Sequence, residues 1–289
     1  MKTLAVLLTC FNRKEKTLSA LSKVYKASAK VESELTISVY LTDDGSTDGT
    51  ADAVRKTFPK VIILKGTGDL FWAGGMKMSW RAAKKQNFDA YLLLNDDTDI
   101  VEELFKEYLK ADEYCQTTYT TGGVYLGATQ DPDTKKLTYG GAKLTNKWTF
   151  KYNLLEPNNS YQNCELGNAN IMFVSNEVVE QIGILSEGYK HGVADYDYTL
   201  KAVKKKIPVL LMPTYLGFCK NDHSNIYDKF TNSSFKQRLA ILKNPLGLDF
   251  SSNLNLMKRH FPLRVPMVVF SSLLKLIFPQ LYINLSKNR

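Results

Sequence analysis

Two short stretches concentrate acids where they can act on a ligand: Asp43-Asp44-Gly45-Ser46-Thr47-Asp48-Gly49 and Asn95-Asp96-Asp97-Thr98-Asp99. The first follows the apolar run Leu35 to Leu41, the second follows Ala90-Tyr91-Leu92-Leu93-Leu94, and each precedes a helical pattern, Thr47 to Phe58 and Val101 to Leu109. Adjacent carboxylates after a run of leucines are costly unless they are solvated, cap a helix or meet a cation. Their hard oxygens suit magnesium or manganese, and a carboxylate also accepts hydrogen bonds from a base N–H or a ribose hydroxyl. Asp, Ser and Thr favour turns and helix caps as well, so the first stretch alone has a purely local explanation. Two such clusters at the ends of two strands are better explained by one shared ligand, because the crevice of an open α/β sheet lies beyond the carboxyl ends of its strands.

The elements that would position these acids alternate. Strands are expected at Leu4 to Leu8, Leu35 to Leu41, Val61 to Leu64 and Tyr91 to Leu94, with helices at Lys14 to Ala29, Thr47 to Phe58 and Met76 to Gln86 between them. This is a Rossmann-like rhythm and predicts a parallel first half, residues 1–115. Beyond about Thr120 the pattern turns Gly-rich and aromatic, with strands over 122–127 and 137–142 separated by the turn signal Asp131-Pro132-Asp133, so residues 116–219 are expected to add antiparallel pairing and make the central sheet mixed. Asn170 to Ser175 reads as a strand, and Asn176 to Ile182 and Asp195 to Lys205 as helices, the latter with acids in its first turn and lysines in its last, the order a helix dipole favours.

Composition narrows the function. The 289 residues carry a formal charge of +9, but Lys220 to the C-terminus contributes eleven Lys/Arg against three Asp, so the basic character belongs to the tail. Cys10, Cys115, Cys164 and Cys219 form no Cys-x-x-Cys pair and no zinc spacing, which reads as reduced, buried thiols of a cytoplasmic protein. The N-terminal apolar run superficially imitates a secretion signal but lacks a small-residue cleavage site, and is expected to be a buried first strand. No Walker A loop is present, and Gly66-Thr67-Gly68 lacks the third glycine of a dinucleotide fingerprint.

Six segments together resemble the inverting nucleotide-sugar glycosyltransferases of glycosyltransferase family 2, in the rhamnosyltransferase-like branch that builds bacterial surface polysaccharides. They are Leu8-Thr9-Cys10-Phe11-Asn12-Arg13, the first acidic stretch, the loop Trp72-Ala73-Gly74-Gly75-Met76, Leu94-Asn95-Asp96-Asp97-Thr98, Gly167-Asn168-Ala169-Asn170 and Gly192-Val193-Ala194-Asp195-Tyr196-Asp197-Tyr198, in family order over residues 3 to about 210. The resemblance implies a GT-A fold over 1–219, followed by a helical extension over 220–289. It places Thr9, Asn12, Asp43, Asp44, Trp72, Gly74, Gly75, Asn95 and Asp96 around the donor, and Gly167, Asn168 and Asp197 toward the acceptor. It gives Asp97 to a Mg2+ or Mn2+ ion with His223 as a further candidate, and makes Asp195 the general base. Two positions depart from the family: Asn95 stands where the first acid of an Asp-x-Asp signature is usual, and Ala194 where an acid usually precedes the base. His191 and His260 have no partner at metal-binding spacing and are expected to be ordinary.

The implied activity is transfer of one sugar from a UDP- or dTDP-linked donor to a hydroxyl of a growing, lipid-linked surface glycan. A nucleotidyltransferase would carry a Gly-rich basic loop after the first strand, which Thr9 to Lys14 lacks; a non-catalytic nucleotide-sugar or glycan binding protein would have no need of Asp195. The tail, Phe261 to Leu285, is broken by Lys275 and Pro279 and is too interrupted to span a bilayer. It suits an amphipathic element on an anionic leaflet, or a helix packed on its own domain or in a homodimer. Its bulky aliphatics and the absence of a recognition motif exclude nucleic acid as the partner.

Overall fold

The structure, a computed structural model, describes residues 1–220 and 230–287. Its centre is β1 (Lys2–Cys10), with β2 (Leu35–Asp43) on one side and β4 (Ala90–Leu94) on the other, both parallel to it; β3 (Ile62–Lys65) lies outside β2. The chain steps outward from β1 to β3 and then returns to β4 across the start, creating the switch in strand order beside which ligands bind. Leu4 to Leu8 are fully buried, and they divide by parity: Ala5 and Leu7 enter one core cluster, Leu4, Val6 and Leu8 the other. A strand covered on both faces needs a continuous apolar run, which is why this segment lacks the alternation of a surface strand.

Helices α1 (Lys14–Ser28), α2 (Thr50–Thr57) and α3 (Phe71–Lys84) connect these strands, and α4 (Leu104–Tyr119) follows the two-residue β5 (Asp99–Ile100). The sheet then turns mixed, as the Gly-rich composition predicted. β12 (Ile171–Ser175) pairs antiparallel with both β4 and β6 (Val124–Gln130), and β13 (Val209–Phe218) runs parallel to β6. The short strands β7 (Leu137–Tyr139) and β10 (Gln162–Asn163) pair with β6 and β13 respectively. Beside this sheet stands a small antiparallel one, in which β8 (Gly141–Asn146) is flanked by β9 (Lys151–Leu154) and β11 (Leu166–Gly167). Helices α5 (Asn176–Ile182) and α6 (Ala194–Lys204) complete this half.

Four helices end the described chain: α7 (Phe235–Lys243), opened by a capping box between Ser234 and Gln237, α8 (Phe250–His260), α9 (Val265–Ile277) and α10 (Pro279–Lys287). The expected tail therefore has two characters. Leu256 and Met257 of α8 belong to the main core, whereas Leu276 of α9 joins only a satellite cluster with Phe230 and Leu242. Among the described residues no helix is long and apolar enough to cross a membrane. The four cysteines are buried and form no disulfide, and burial pushes the Cys10 and Cys164 thiols up to about 12, which makes these two inert fillers.

One helix boundary differs from expectation. Helix α3 starts at Phe71, not Met76, so Trp72 to Gly75 form its first turn instead of a loop. Glycine disfavours helices, but here it allows close packing: a Cβ on Gly75 would lie 2.0 Å from Thr9 Oγ1, and one on Gly74 would lie 3.1 Å from Leu70 Cβ.

Candidate active site

The register of β1 on β2 sets Cys10 beside Asp43, and β4 ends one strand away, so the acidic stretches converge at one sheet edge. There a cleft of about 230 Å3 is lined by Thr9, Arg13, Asp44, Trp72, Asp96 and His191, among others. A second hollow, of about 380 Å3, lies across Asp96 and Asp97 and also includes Glu15, Asp99 and Lys220.

The carboxylates differ in what they do. Asp44 accepts three backbone hydrogen bonds, from Gly68 (2.8 Å), Leu70 (2.9 Å) and Phe71 (3.0 Å), and so fixes the turn that starts α3. That turn needs fixing because Phe71 sits at φ 54°, a conformation unfavourable for a bulky side chain. Asp43 accepts from the Ser46 amide (2.8 Å) and closes a turn. Asp48 receives the Lys14 and Thr50 amides, so the local turn-and-cap chemistry of this stretch is real. Asn12 is spent on the same loops: its Oδ1 accepts from Thr47 N (2.7 Å) and its own N–H donates to Ser46. Thr9, Asp44, Trp72 and Asp96 line the cleft; Asn12, Asp43, Gly74 and Gly75 lie behind its walls.

At the second stretch, Arg13 Nη1 bridges Asp96 Oδ1 (3.0 Å) and Asp97 Oδ2 (2.8 Å). Nothing in the segment around Arg13 assigns it a role; the close approach of the β1 and β4 ends supplies one. Asp96 is nearly buried, and burial pushes its carboxyl up to about 6 against the pull of Arg13. Asp97 keeps more of its surface open. Asn95 Oδ1 accepts the Trp72 indole N–H at 2.8 Å, which aligns the ring along the cleft.

Because the folded pKa of Asp96 lies above its unfolded value, the unfavourable contribution of this group develops between pH 4 and 6 and is complete above that. Asp96→Asn is therefore expected to raise stability at pH 7 by about 2 kcal/mol, with the gain vanishing below about pH 4, as paired thermal melts across that range would show.

From Asn95 the site continues toward Asp195. The Asn95 amide donates to the Asn170 carbonyl (3.3 Å), and the Ala169 amide donates to Asp195 Oδ2 (3.2 Å). Asp195 opens α6, where Val193, a β-branched residue at φ 56°, turns the chain into the helix. Its carboxylate also accepts from the Tyr196 amide (2.8 Å) and the Asn168 side chain. Burial nevertheless pushes its pKa up to about 6, within reach of proton transfer near neutrality. Gly167, expected at the acceptor, instead packs under Leu126, where a Cβ would lie 2.4 Å from a leucine methyl.

Asp197 is a correction of the expected acceptor set. It is fully buried, and its Oδ1 meets Tyr189 Oη at 3.0 Å and His260 Nε2 at 2.8 Å. Burial pushes this carboxyl up, but the His260 bond and its neighbours outweigh that and hold it below the usual range. His260 is thus not ordinary: it joins α8 to α6, and Asn255 of α8 holds the Gly188 carbonyl (2.7 Å) in the loop leading to Asp195. His260→Ala leaves a buried carboxylate short of its partner and is expected to cost about 3 kcal/mol in denaturant unfolding. His191 and Leu246, unassigned from sequence, line the cleft, while His223 lies outside the described residues.

Residues 5–179 match the family model described as glycosyl transferase family 2. The chain belongs to glycosyl transferase family 2. This family member has the GT-A fold and is a glycosyltransferase that uses a nucleotide-sugar donor. It is similar in structure to a mannosyltransferase, PcManGT from Pyrobaculum calidifontis in complex with GDP-Man and Mn2+, with TM-score 0.56 and 13% identity over 95% of this chain and 69% of that one. It is also similar to S. aureus TarS 1-349 in complex with UDP, with TM-score 0.53 and 17% identity over 91% of this chain and 72% of that one. No curated protein matches at the sequence level. The family match ends before Asp195, so the base candidate and the C-terminal helices of this glycosyltransferase lie outside it.

Proposed function

We propose that the enzyme is an inverting transferase that moves one sugar from a UDP- or dTDP-linked donor to a hydroxyl of a growing, lipid-linked surface glycan, working in the cytoplasm. The observation that carries this is the placement of Asp195: a carboxylate with its pKa lifted to about 6, held by two amides and Asn168, and joined through Asn170, Asn95 and Trp72 to the cleft where Thr9 and Asp44 stand.

In this account residues 1–219 carry the chemistry and 220–289 extend it. The nucleoside occupies the side of the cleft with Thr9 and Asp44, and Trp72 covers the sugar end. Asp195 takes the proton of the acceptor hydroxyl as that oxygen attacks the anomeric carbon from the face opposite the diphosphate. Asn168 and the two amides keep the carboxylate aimed, and fixed donors of this kind need no rearrangement during the reaction. Arg13, lining the cleft with N–H groups beyond those of Nη1 spent on Asp96 and Asp97, places positive charge where the leaving diphosphate gains negative charge.

A divalent cation fits the donor set only as a partly protein-held ion. Among the described residues there is no cluster of three or more ligating side chains, but Asp97 has an open carboxylate edge, and magnesium-type ions are commonly held by one or two carboxylates plus phosphate oxygens. When bound, Mg2+ or Mn2+ would offset the charge of the departing diphosphate. The stereochemistry is tested by NMR of the first product formed: an anomeric configuration opposite to the donor's is expected, and retention would contradict the single-base scheme.

A further inference from the structure

We propose that the C-terminal helices α9 and α10, together with the tip of the β8–β9 hairpin, form a surface that docks on an anionic lipid membrane. Phe270, Leu273 and Ile277 lie on one face of α9 at helical spacing, and Leu281 and Leu285 stand one turn apart on α10; all are exposed, Phe270 to 67%. The opposite face of α9 is satisfied, since Ser272 and Leu276 are buried beneath it. The stripe is therefore not an unfinished core: the helix has one packed face and one apolar face turned outward, the arrangement of an interfacial helix.

The hairpin is a second, independent contribution. Trp148 at its tip is 67% exposed, and Leu263, in the turn before α9, is 76% exposed. Arg264 ties the two together by donating to the Thr149 carbonyl at 3.0 Å, with its guanidinium 5.5 Å over the Phe150 ring. A tryptophan beside an apolar stripe suits the level of lipid headgroups.

Charge selects the occupant. From residue 250 to the C-terminus there are six Lys/Arg and neither Asp nor Glu. Two copies of so basic a segment would repel across a two-fold interface, whereas an anionic leaflet supplies the opposite sign.

The same hairpin leads back to the base. Phe261 packs edge-on against Phe150 (5.3 Å between centroids), Phe150 against Tyr152 (5.9 Å), and Tyr152 against Tyr196 (5.7 Å), the neighbour of Asp195. A membrane at this surface would thus lie on the acceptor side, where a lipid-carried hydroxyl has to arrive. That purpose rests on the proposed lipid-linked acceptor; the docking itself does not.

The test is co-sedimentation of the full chain with phosphatidylcholine vesicles, with and without phosphatidylglycerol, over a range of salt. Binding to the anionic vesicles alone, weakened by salt and reduced more than about tenfold in the double variant Phe270→Glu/Leu273→Glu, is expected. Trp148→Ala should give a several-fold loss. Donor turnover in solution should be unchanged in these variants, which shows that they fold; absence of turnover in the parent protein would count against the proposed chemistry, not the docking. No binding at low salt, or equal binding by the double variant, would overturn the proposal. So would a dimer in light scattering that the same double variant dissociates, since a second copy would then cover the face.

Discussion

Asp195→Asn is expected to leave donor affinity unchanged and to lower the rate of transfer by about three orders of magnitude, the range over which a positioned base contributes. Asn keeps the size of the side chain and its acceptor oxygen for the Ala169 or Tyr196 amide, so α6 should start in the same place. What it lacks is a lone pair basic enough to remove the acceptor proton. The pH profile offers a second check on the same group. Burial raises the Asp195 pKa to about 6, and only the ionised form is a base, so kcat in the parent protein should fall as pH drops through 6 and level off above it. In the variant that acidic limb should disappear from whatever rate remains. Steady-state kinetics with isothermal titration of the donor separates the two effects, and an Asp195→Asn variant with unchanged turnover would sink the assignment.

Asp97→Ala is expected to weaken donor binding by about a hundredfold in the presence of magnesium or manganese, and by little once chelator is present. Asp97 is the more open carboxylate of the Arg13 cluster, and a cation shared between it and a diphosphate loses its protein anchor when the side chain is removed. The substitution also leaves Arg13 to Asp96 alone, so some affinity should persist through Arg13 and the diphosphate. Equal loss with and without chelator would mean that Asp97 acts by holding Arg13, and that the cation is placed elsewhere.

Much of this site was legible in the chain because it depends on local pattern. Continuous apolar runs mark strands buried on both faces, and acids directly after them fall at the carboxyl edge of the sheet, so pattern alone puts Asp44, Asp96 and Asp97 at that edge. Departures arise where distant segments meet. Gly74 and Gly75 resemble loop residues, yet α3 runs through them, and it carries a glycine at 75 because Thr9 leaves no room for a Cβ there. Asp197 shares the first turn of α6 with Asp195, and its different fate is decided by His260, a residue 63 positions away on a helix that composition alone assigned to the tail. Arg13 belongs to the same class: its value comes from lying between two carboxylates of another strand, a contact with no signature in its own segment. Leu246 reaches the cleft only because α8 docks in the core, so nothing in its surroundings in sequence points there.

The most direct test of the central claim is titration of the folded protein with a panel of UDP-, dTDP- and GDP-sugars, each with manganese or magnesium and again with chelator. Saturable binding of a UDP- or dTDP-linked donor is expected, weakened by chelator and by Asp97→Ala but not by Asp195→Asn. Binding that ignores the cation, or that falls with Asp195→Asn as much as with Asp97→Ala, would contradict a site in which one carboxylate serves the diphosphate and the other the acceptor.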